Sequence, residues 1–154
     1  KKKPVLMDYL DPKKIMWYIN QNTIIHSLVI KHISPLMNSS SQSIMLHLSA
    51  RIGSISDNYL GGWYSYRAAK AALNMIIKTA SIELKRKNKN LCLLAIHPGT
   101  VDSHLSDPFK KNVNPEKLFS PSKSIKLITT NIFAKATPDN SGKLFAYDGN
   151  EIKP

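Results

Sequence analysis

The distribution of apolar residues predicts long helices that alternate with short buried strands. Between residues 13 and 37 the apolar positions approximate a 3.6-residue repeat, which predicts a helix that begins after the cap Asp11-Pro12. A second long helix is predicted over 63–87, because small and apolar residues lie on or near one of its faces. The same periodicity predicts a shorter helix over 122–134.

Three apolar runs predict strands of a buried sheet, at 44–48, 91–96 and 143–147. The order strand, helix, strand, helix, strand predicts parallel strands that are joined by right-handed crossovers. We therefore expect an α/β fold whose ligand-binding edge lies at the carboxyl ends of the strands. The segments 50–54 and 97–103 follow two of these strands and should lie at that edge.

Length and composition limit the classes of protein to which the chain can belong. Its 154 residues are enough for one domain with a core of its own. A single cysteine, Cys92, excludes an internal disulfide and fits a reducing cytoplasm, where we expect the protein to reside. No apolar run approaches the ~18 residues that a membrane span needs, so we expect no membrane association.

The formal charge of +12 raises the alternative of nucleic-acid binding, because basic surfaces attract phosphate. The lysines are scattered along the chain, however, and the cluster at 85–89 lies at a predicted helix end, where cations interact favourably with the helix dipole. No aromatic residues alternate with this cluster, as a stacking surface for bases would require. We therefore expect no specific nucleic-acid partner.

The histidines do not form a metal-binding pattern. His26 and His32 both lie in the first predicted helix, but they are six residues apart and face different directions. We therefore assign no metal. The sequence also has no Gly-x-Ser-x-Gly motif, so serine hydrolase chemistry is not expected.

The most informative pair of residues is Tyr66 and Lys70, four residues apart near the start of the second predicted helix. Positions i and i+4 share one face of a helix, so the phenol and the ammonium group can point into one pocket. A nearby cation stabilises the phenolate and lowers its pKa from about 10. Such a pair suits proton transfer to or from a carbonyl or alcohol oxygen. Taken alone, the spacing is more typical of an ordinary exposed helix surface.

The surroundings of this pair resemble the short-chain dehydrogenase/reductase family. An apolar strand with small residues at its end, over 43–54, precedes the Tyr-x-x-x-Lys helix, and a second strand that ends in Pro98-Gly99 follows it. Asn22-Thr23 and the run Leu-Gly-Gly-Trp-Tyr-Ser-Tyr-Arg at 60–67 make the chain most similar to the C-factor and sniffer-type carbonyl reductase branch. The resemblance extends from about residue 5 to residue 152.

The resemblance implies a Rossmann-like, doubly wound parallel sheet, of which the chain would contain the carboxy-terminal half. Family members begin with a strand and a Gly-rich turn that receives the pyrophosphate, and no such pattern is present. We therefore expect residues 1–154 to form a single partial domain that lacks the amino-terminal nucleotide-binding half. Cloning truncation, a split gene and gene decay would each explain this. The strand at 43–49 would then have an unpaired edge.

By resemblance, Tyr66 would donate a proton to a carbonyl group, and Lys70 would lower the pKa of Tyr66 and hold the nicotinamide ribose of NAD or NADP. Asn22 matches a helix asparagine that keeps a water molecule in a proton relay to the lysine. A polar residue that caps a helix irregularity is the alternative interpretation of Asn22. The turn that contacts the nicotinamide carboxamide would contain Pro98, Gly99, Val101 and Ser103.

The serine that orients the substrate in this family has no direct counterpart. It usually takes the second place of a Ser-Ser-x-x-Gly pattern, where this chain has Ala50, which carries no hydroxyl group. Ser54, just beyond on the loop, and Ser49 are candidate substitutes. Alternatively the hydrogen bond is absent, which would weaken the polarisation of the carbonyl group.

Two functions follow from these residues. The first is an NAD(P)-dependent oxidoreductase of the short-chain type, which acts on a small carbonyl or alcohol substrate. The second is a catalytically inactive remnant that keeps only packing or interaction surfaces, because hydride transfer needs a bound cofactor. Since the long helices of this region often pack across subunits in the family, helix 63–87 is also a candidate homodimer surface.

Overall fold

The computed structural model describes residues 10–104, 106–107 and 113–154, so the first nine residues of the predicted domain lie outside the described residues. A sheet with the strand order β1-β2-β5-β6 forms its centre, and β3 and β4 form a second, two-stranded sheet. The strands are β1 (Ser43–Leu48), β2 (Leu91–His97), β3 (Thr100–Val101), β4 (Leu118–Phe119), β5 (Leu144–Ala146) and β6 (Glu151–Ile152).

The central sheet confirms the expected α/β fold with parallel strands. β1 pairs with β2, and β2 pairs with β5, both in parallel. The expectation of three strands was incomplete, because β6 adds a fourth strand that pairs antiparallel with β5. The short connection between β5 and β6 forces this direction, since a parallel crossover needs a dozen or more residues.

Among residues 10–104, 106–107 and 113–154, four α-helices cover the sheet: α1 (Pro12–Ile19), α2 (Ile25–Ile33), α3 (Tyr64–Lys85) and α4 (Pro121–Asn131). The prediction of one uninterrupted helix over 13–37 was wrong, because a π-helix over Asn20–Ile24 separates α1 from α2. A 3-10 turn over Ser34–Leu36 then ends this helical segment at Pro35, which has no N–H to continue it. No helix in the described part of the chain is long and apolar enough to cross a membrane.

The sheet lies between two helical layers, each with its own apolar cluster. On one face, Met45 and Leu93 pack with residues of α2 and α3, including Leu73 and Ile77. On the other face, Cys92, Leu94 and Ile96 pack against Ile132 and Ala136, next to α4. Both faces of β2 are therefore buried, which explains why its sequence is a continuous apolar run instead of an alternating one.

Cys92 is a fully buried member of the second cluster. Burial raises the pKa of its thiol to about 11, because desolvation disfavours the thiolate. The residue therefore behaves as a small apolar side chain, as expected from its position in the strand.

Candidate active site

Two connecting segments leave the sheet at the carboxyl ends of β1 and β2. A backbone hydrogen bond of 2.7 Å from Ser49 N to Ile96 O holds these two strand ends together. The segment after β1 then packs closely against α3 at Gly53. A Cβ atom on Gly53 would lie 2.7 Å from the carbonyl carbon of Lys70, so a side chain at this position would push the loop away from α3.

Tyr66 and Lys70 lie on the same side of α3. The Lys70 Nζ atom is 5.8 Å from the centre of the Tyr66 ring and donates a hydrogen bond of 2.9 Å to the carbonyl oxygen of Leu48, at the end of β1. Lys70 is buried, and this burial lowers its pKa to about 8. At neutral pH most Lys70 side chains are therefore protonated, although burial shields the ammonium group from water.

The phenol of Tyr66 does not have the lowered pKa that is expected of a tyrosine beside a lysine. Burial raises the pKa of Tyr66, and the Tyr18 phenol raises it further. The ammonium group of Lys70 points to the Leu48 carbonyl oxygen, so desolvation of the phenol has the larger effect. Among the described residues, the Tyr66 hydroxyl has no hydrogen-bond partner, and its ring contacts Tyr18 and Lys70.

The π-helix that contains Asn22 packs against α3 near this pair. Thr23 Oγ1 donates a hydrogen bond of 2.9 Å to Ala69 O, which ties the π-helix to α3 next to Lys70. Asn22 Nδ2 donates to Tyr18 O at 3.1 Å, and the Tyr18 ring lies 5.8 Å from the Tyr66 ring. Asn22 therefore lies in a helix irregularity that packs against α3, the helix that carries Tyr66 and Lys70. π-helical segments are frequent at functional sites.

No described contact brings the candidate serines to Tyr66. Ser54 is buried, and its hydroxyl donates to Lys153 O at 2.5 Å and accepts a hydrogen bond from Asp57 N at 3.1 Å. Ser49 Oγ donates to Asn74 Oδ1 at 2.6 Å. Both hydroxyl groups are therefore engaged in holding the loop, and a catalytic role of Ser54 stays a prediction.

The Pro-Gly bend lies at the same edge of the sheet but is anchored to other elements. Pro98 O accepts a hydrogen bond of 2.7 Å from Ser124 Oγ on α4. Val101 belongs to β3, and Ser103 Oγ donates to Val101 O at 3.4 Å. Gly99 has a φ of +80°, which permits the sharp turn between β2 and β3. No described hydrogen bond or ring contact links this bend to Tyr66 or Lys70.

A histidine pair, with His47 buried and His26 partly buried, lies near Lys70. His26 Nδ1 on α2 is 3.0 Å from His47 Nδ1 on β1, which is a hydrogen bond in which one ring donates and the other accepts. Burial lowers the pKa of both rings, that of His47 to about 4, and the charge of Lys70 lowers the pKa of His26 further. The described residues contain no group of three or more ligating side chains that could hold a metal ion.

Sequence reasoning missed this pair and the role of Tyr18. The two histidines are 21 residues apart on different elements, so no sequence spacing could bring them together. Tyr18 was interpreted only as an apolar position of a helix. Its position four residues before Asn22 was the available signal, because i and i+4 share a helix face.

Several curated proteins, including the following two, have sequences similar to the chain. It is 32% identical over 106 residues to C-signal of Myxococcus xanthus, an alignment that covers 69% of this chain and 58% of that protein. It is 31% identical over 144 residues to 1-hydroxy-2-glutathionyl-2-methyl-3-butene dehydrogenase of Rhodococcus sp. strain AD45, covering 94% of this chain and 60% of that protein. No family model matches the chain.

Many solved structures share the fold, including two carbonyl reductases. The carbonyl reductase Sniffer of D. melanogaster superposes with a TM-score of 0.83 at 23% identity, covering 99% of this chain and 62% of that one. The NADPH-bound carbonyl reductase from chicken fatty liver has a TM-score of 0.75 at 23% identity, with the same coverage of 99% and 62%. The chain therefore spans about three fifths of the length of the proteins that it matches.

Proposed function

Because the chain belongs to the short-chain dehydrogenase/reductase family, we propose that it carries the catalytic residues of an NAD(P)-dependent oxidoreductase. The reaction is hydride transfer between the nicotinamide cofactor and a small carbonyl or alcohol compound. The placement of Tyr66 and Lys70 on one side of α3, at the carboxyl edge of a parallel sheet, is the observation that carries this proposal. Ligands of open α/β sheets bind at this edge.

The donor groups at this edge fit the ribose of a nicotinamide nucleotide. The ammonium group of Lys70 has three N–H donors, and its described acceptor is the Leu48 carbonyl oxygen. The Tyr66 hydroxyl is half-buried and has no hydrogen-bond partner among the described residues. A ribose diol provides acceptors for the lysine and a partner for the phenol. The turn that contains Pro98, Gly99, Val101 and Ser103 is the proposed contact of the carboxamide.

When bound, the nicotinamide cofactor supplies or accepts the hydride. Tyr66 donates its phenolic proton to the carbonyl oxygen as negative charge develops there. Lys70 stabilises the phenolate that remains, and a ligand that draws its Nζ from the Leu48 carbonyl oxygen toward the phenol would strengthen this effect. Lys70 would then pass a proton to the phenolate of Tyr66, and a water molecule held by Asn22 would return a proton from solvent to Lys70, so that both residues regain their starting state. Ala50 contributes no hydroxyl group, so polarisation of the carbonyl depends on Tyr66 or on Ser54.

Titration of the purified chain with NADPH, followed by its fluorescence, tests the proposal. We expect saturable binding that becomes at least ~10-fold weaker in Lys70→Met, because a charge-assisted hydrogen bond is worth about 1.5–3 kcal/mol. Lys78→Met is the matched control, since Lys78 is exposed on the same helix. The proposal is wrong for this chain if a folded sample shows no saturable binding, or if both variants bind equally well.

A non-catalytic interaction protein is the second candidate function. Ala50 in place of the substrate-orienting serine and the raised pKa of Tyr66 favour it. This candidate predicts that the chain folds and that NADPH does not bind. The titration therefore separates the two functions directly.

We also propose that the chain forms a homodimer through α3. Large apolar side chains are exposed on α3 and on the neighbouring α2, and contiguous exposed apolar surface marks interaction sites. They are Ile25, Leu28, Val29, Met75 and Ile82. Light scattering should give the mass of a dimer for the chain and the mass of a monomer for the double variant M75E/I82E. Ile125→Glu is the control and should stay a dimer, because its exposed side chain lies on α4, on the other face of the sheet. A monomeric wild-type chain would refute this proposal.

A further inference from the structure

Arg67 connects α3 to the loop that precedes it. Its guanidinium group donates three hydrogen bonds, to Gly62 O at 2.9 Å, to Gly61 O at 3.2 Å and to Ile52 O at 3.3 Å. Ile52 lies in the short turn after β1, and Gly61 and Gly62 lie shortly before the start of α3. Arg67 therefore binds carbonyl oxygens at both ends of the loop that connects the turn to α3. In the described part of the chain, the charge-bearing group of Arg67 thus binds backbone oxygens and no carboxylate.

The segment that Arg67 holds has an unusual backbone. Gly61, Gly62 and Trp63 have φ angles of +62°, +68° and +58°, so three successive residues are left-handed directly before α3 begins at Tyr64. Glycine adopts this conformation readily, but in tryptophan the Cβ atom comes too close to the following carbonyl oxygen, so the same conformation is strained. A strained residue of this kind persists only where the surrounding contacts fix it, and such residues cluster at functional sites.

Few apolar contacts are available to fix this loop. Tyr59 and Leu60 are 85% and 91% exposed, so their side chains add little packing. Polar contacts hold the earlier part of the loop, among them an Arg51–Asp57 ion pair of 3.0 Å, a hydrogen bond of 3.2 Å from Ser56 N to Pro154 O and one of 3.1 Å from Gly61 N to Asn58 Oδ1. The Arg51–Asp57 pair is largely exposed and therefore weak. Arg67 ties the loop exit to the loop entry, because one guanidinium group binds the carbonyl oxygens of Gly61, Gly62 and Ile52.

We propose that Arg67 is a positioning residue, whose guanidinium group fixes the left-handed exit Gly61–Trp63 and thereby the location of Tyr66 at the start of α3. A lysine cannot replace it, because an ammonium group is a compact donor, whereas the planar guanidinium spreads its five N–H groups toward separate acceptors. The catalytic part of this inference rests on the proposed function. The conformational part does not.

The conformational part is tested by limited chymotrypsin digestion of the chain and of Arg67→Lys. We expect cleavage after Tyr59 to accelerate at least ~10-fold in the variant, because cleavage within a braced loop requires local opening. Arg86→Lys, on the exposed end of α3, should cleave at the wild-type rate. Equal rates for all three proteins, with unchanged thermal unfolding, would overturn the proposal.

A second readout follows Trp63 itself. In a Trp17→Phe background, Trp63 is the remaining tryptophan, and Arg67→Ala should shift its emission. Addition of methylguanidinium should restore both the emission and the slow chymotrypsin cleavage, because the ion can occupy the vacated position. If methylguanidinium restores neither the Trp63 emission nor the slow cleavage, Arg67 serves the folding of the whole domain, and the proposal is wrong.

The catalytic part is tested on a sample that binds NADPH and turns over. Arg67→Lys should lower kcat by ~10-fold with a smaller change in KM, because a misplaced Tyr66 hydroxyl affects proton transfer more than substrate binding. An unchanged kcat together with faster cleavage would separate the loop from catalysis and overturn this part. A sample without turnover refutes the proposed function, and the digestion and fluorescence results still decide the conformational part.

Discussion

Replacement of Tyr66 by phenylalanine is expected to lower kcat at least ~10²-fold, because the ring would keep its packing and lose its only proton donor. The Tyr66 ring contacts Tyr18 at 5.8 Å and lies near Lys70 Nζ, and phenylalanine preserves both contacts. The hydroxyl has no hydrogen-bond partner among the described residues, so its removal leaves no new unsatisfied group. The stability of the variant should therefore stay close to that of the parent chain, as measured by thermal unfolding.

Tyr64→Phe provides the matched control for this experiment. Tyr64 lies two residues earlier on the same helix and is 37% exposed, so its side chain points away from Tyr66. Removal of the Tyr64 hydroxyl group should leave kcat unchanged. If both variants turned over at the parental rate in the same NADPH-dependent assay, Tyr66 would have no part in the reaction. Equal losses in both would indicate a general effect on the start of α3.

Acid should destabilise the chain between about pH 6.5 and pH 4. Burial lowers the pKa of His47 and of His97 to about 4, with the neighbouring charges of His26 and Arg51 acting in the same direction. Both rings are therefore neutral in the folded chain at pH 5, whereas the unfolded chain, with a histidine pKa near 6.5, binds a proton at each. The unfolded state binds more protons in this window, so the free energy of unfolding falls as the pH falls.

The expected loss is large compared with the stability of a small domain. A shift of this size corresponds to about 3 kcal/mol for each histidine, against a total stability of roughly 5–15 kcal/mol. The stability that His47 and His97 contribute is fully present above pH ~6.5 and is lost by pH ~4, because their pKa values in the folded state lie below the pKa of histidine in the unfolded state. His47 also has a buried Nε2 atom without a hydrogen-bond partner in the structure.

Urea unfolding at pH 7.5, 5.5 and 4.5 measures this effect. We expect the free energy of unfolding to fall steeply over this range in the parent chain and about 3 kcal/mol less in His47→Asn. His32→Asn is the control, because His32 is exposed on α2. An identical pH dependence in all three proteins would show that the buried histidines do not control the acid response.

The sequence predicted the elements well where a local pattern determines them. Strand β2 is apolar at almost every position because helices cover both of its faces, and Tyr66 and Lys70 fall on one side of α3 because of helix geometry. The π-helix at Asn20–Ile24 was not predicted, because the apolar spacing changes little when one turn widens. The bond from Thr23 to Ala69, 46 residues away, joins this segment to α3.

The electrostatic state of the site could not be read from the sequence either. The expected lowering of the Tyr66 pKa assumed a direct approach of the Lys70 ammonium group, but that group binds the Leu48 carbonyl oxygen on another element. Ser54 was a candidate because it lies close in sequence to the position that Ala50 occupies. Its hydroxyl group instead donates a hydrogen bond to the carbonyl oxygen of Lys153, near the other end of the sequence. Both outcomes depend on contacts between distant segments.

The single thiol of the chain acts as an internal reporter. Cys92 is fully enclosed between the sheet and the segment around Ile132 and Ala136, and its raised pKa keeps it protonated at neutral pH. An alkylating reagent can reach this sulfur only when α4 and its neighbouring turns separate from the strands. Labelling at Cys92 therefore gives a covalent record of how often this half of the molecule opens, without any engineered probe.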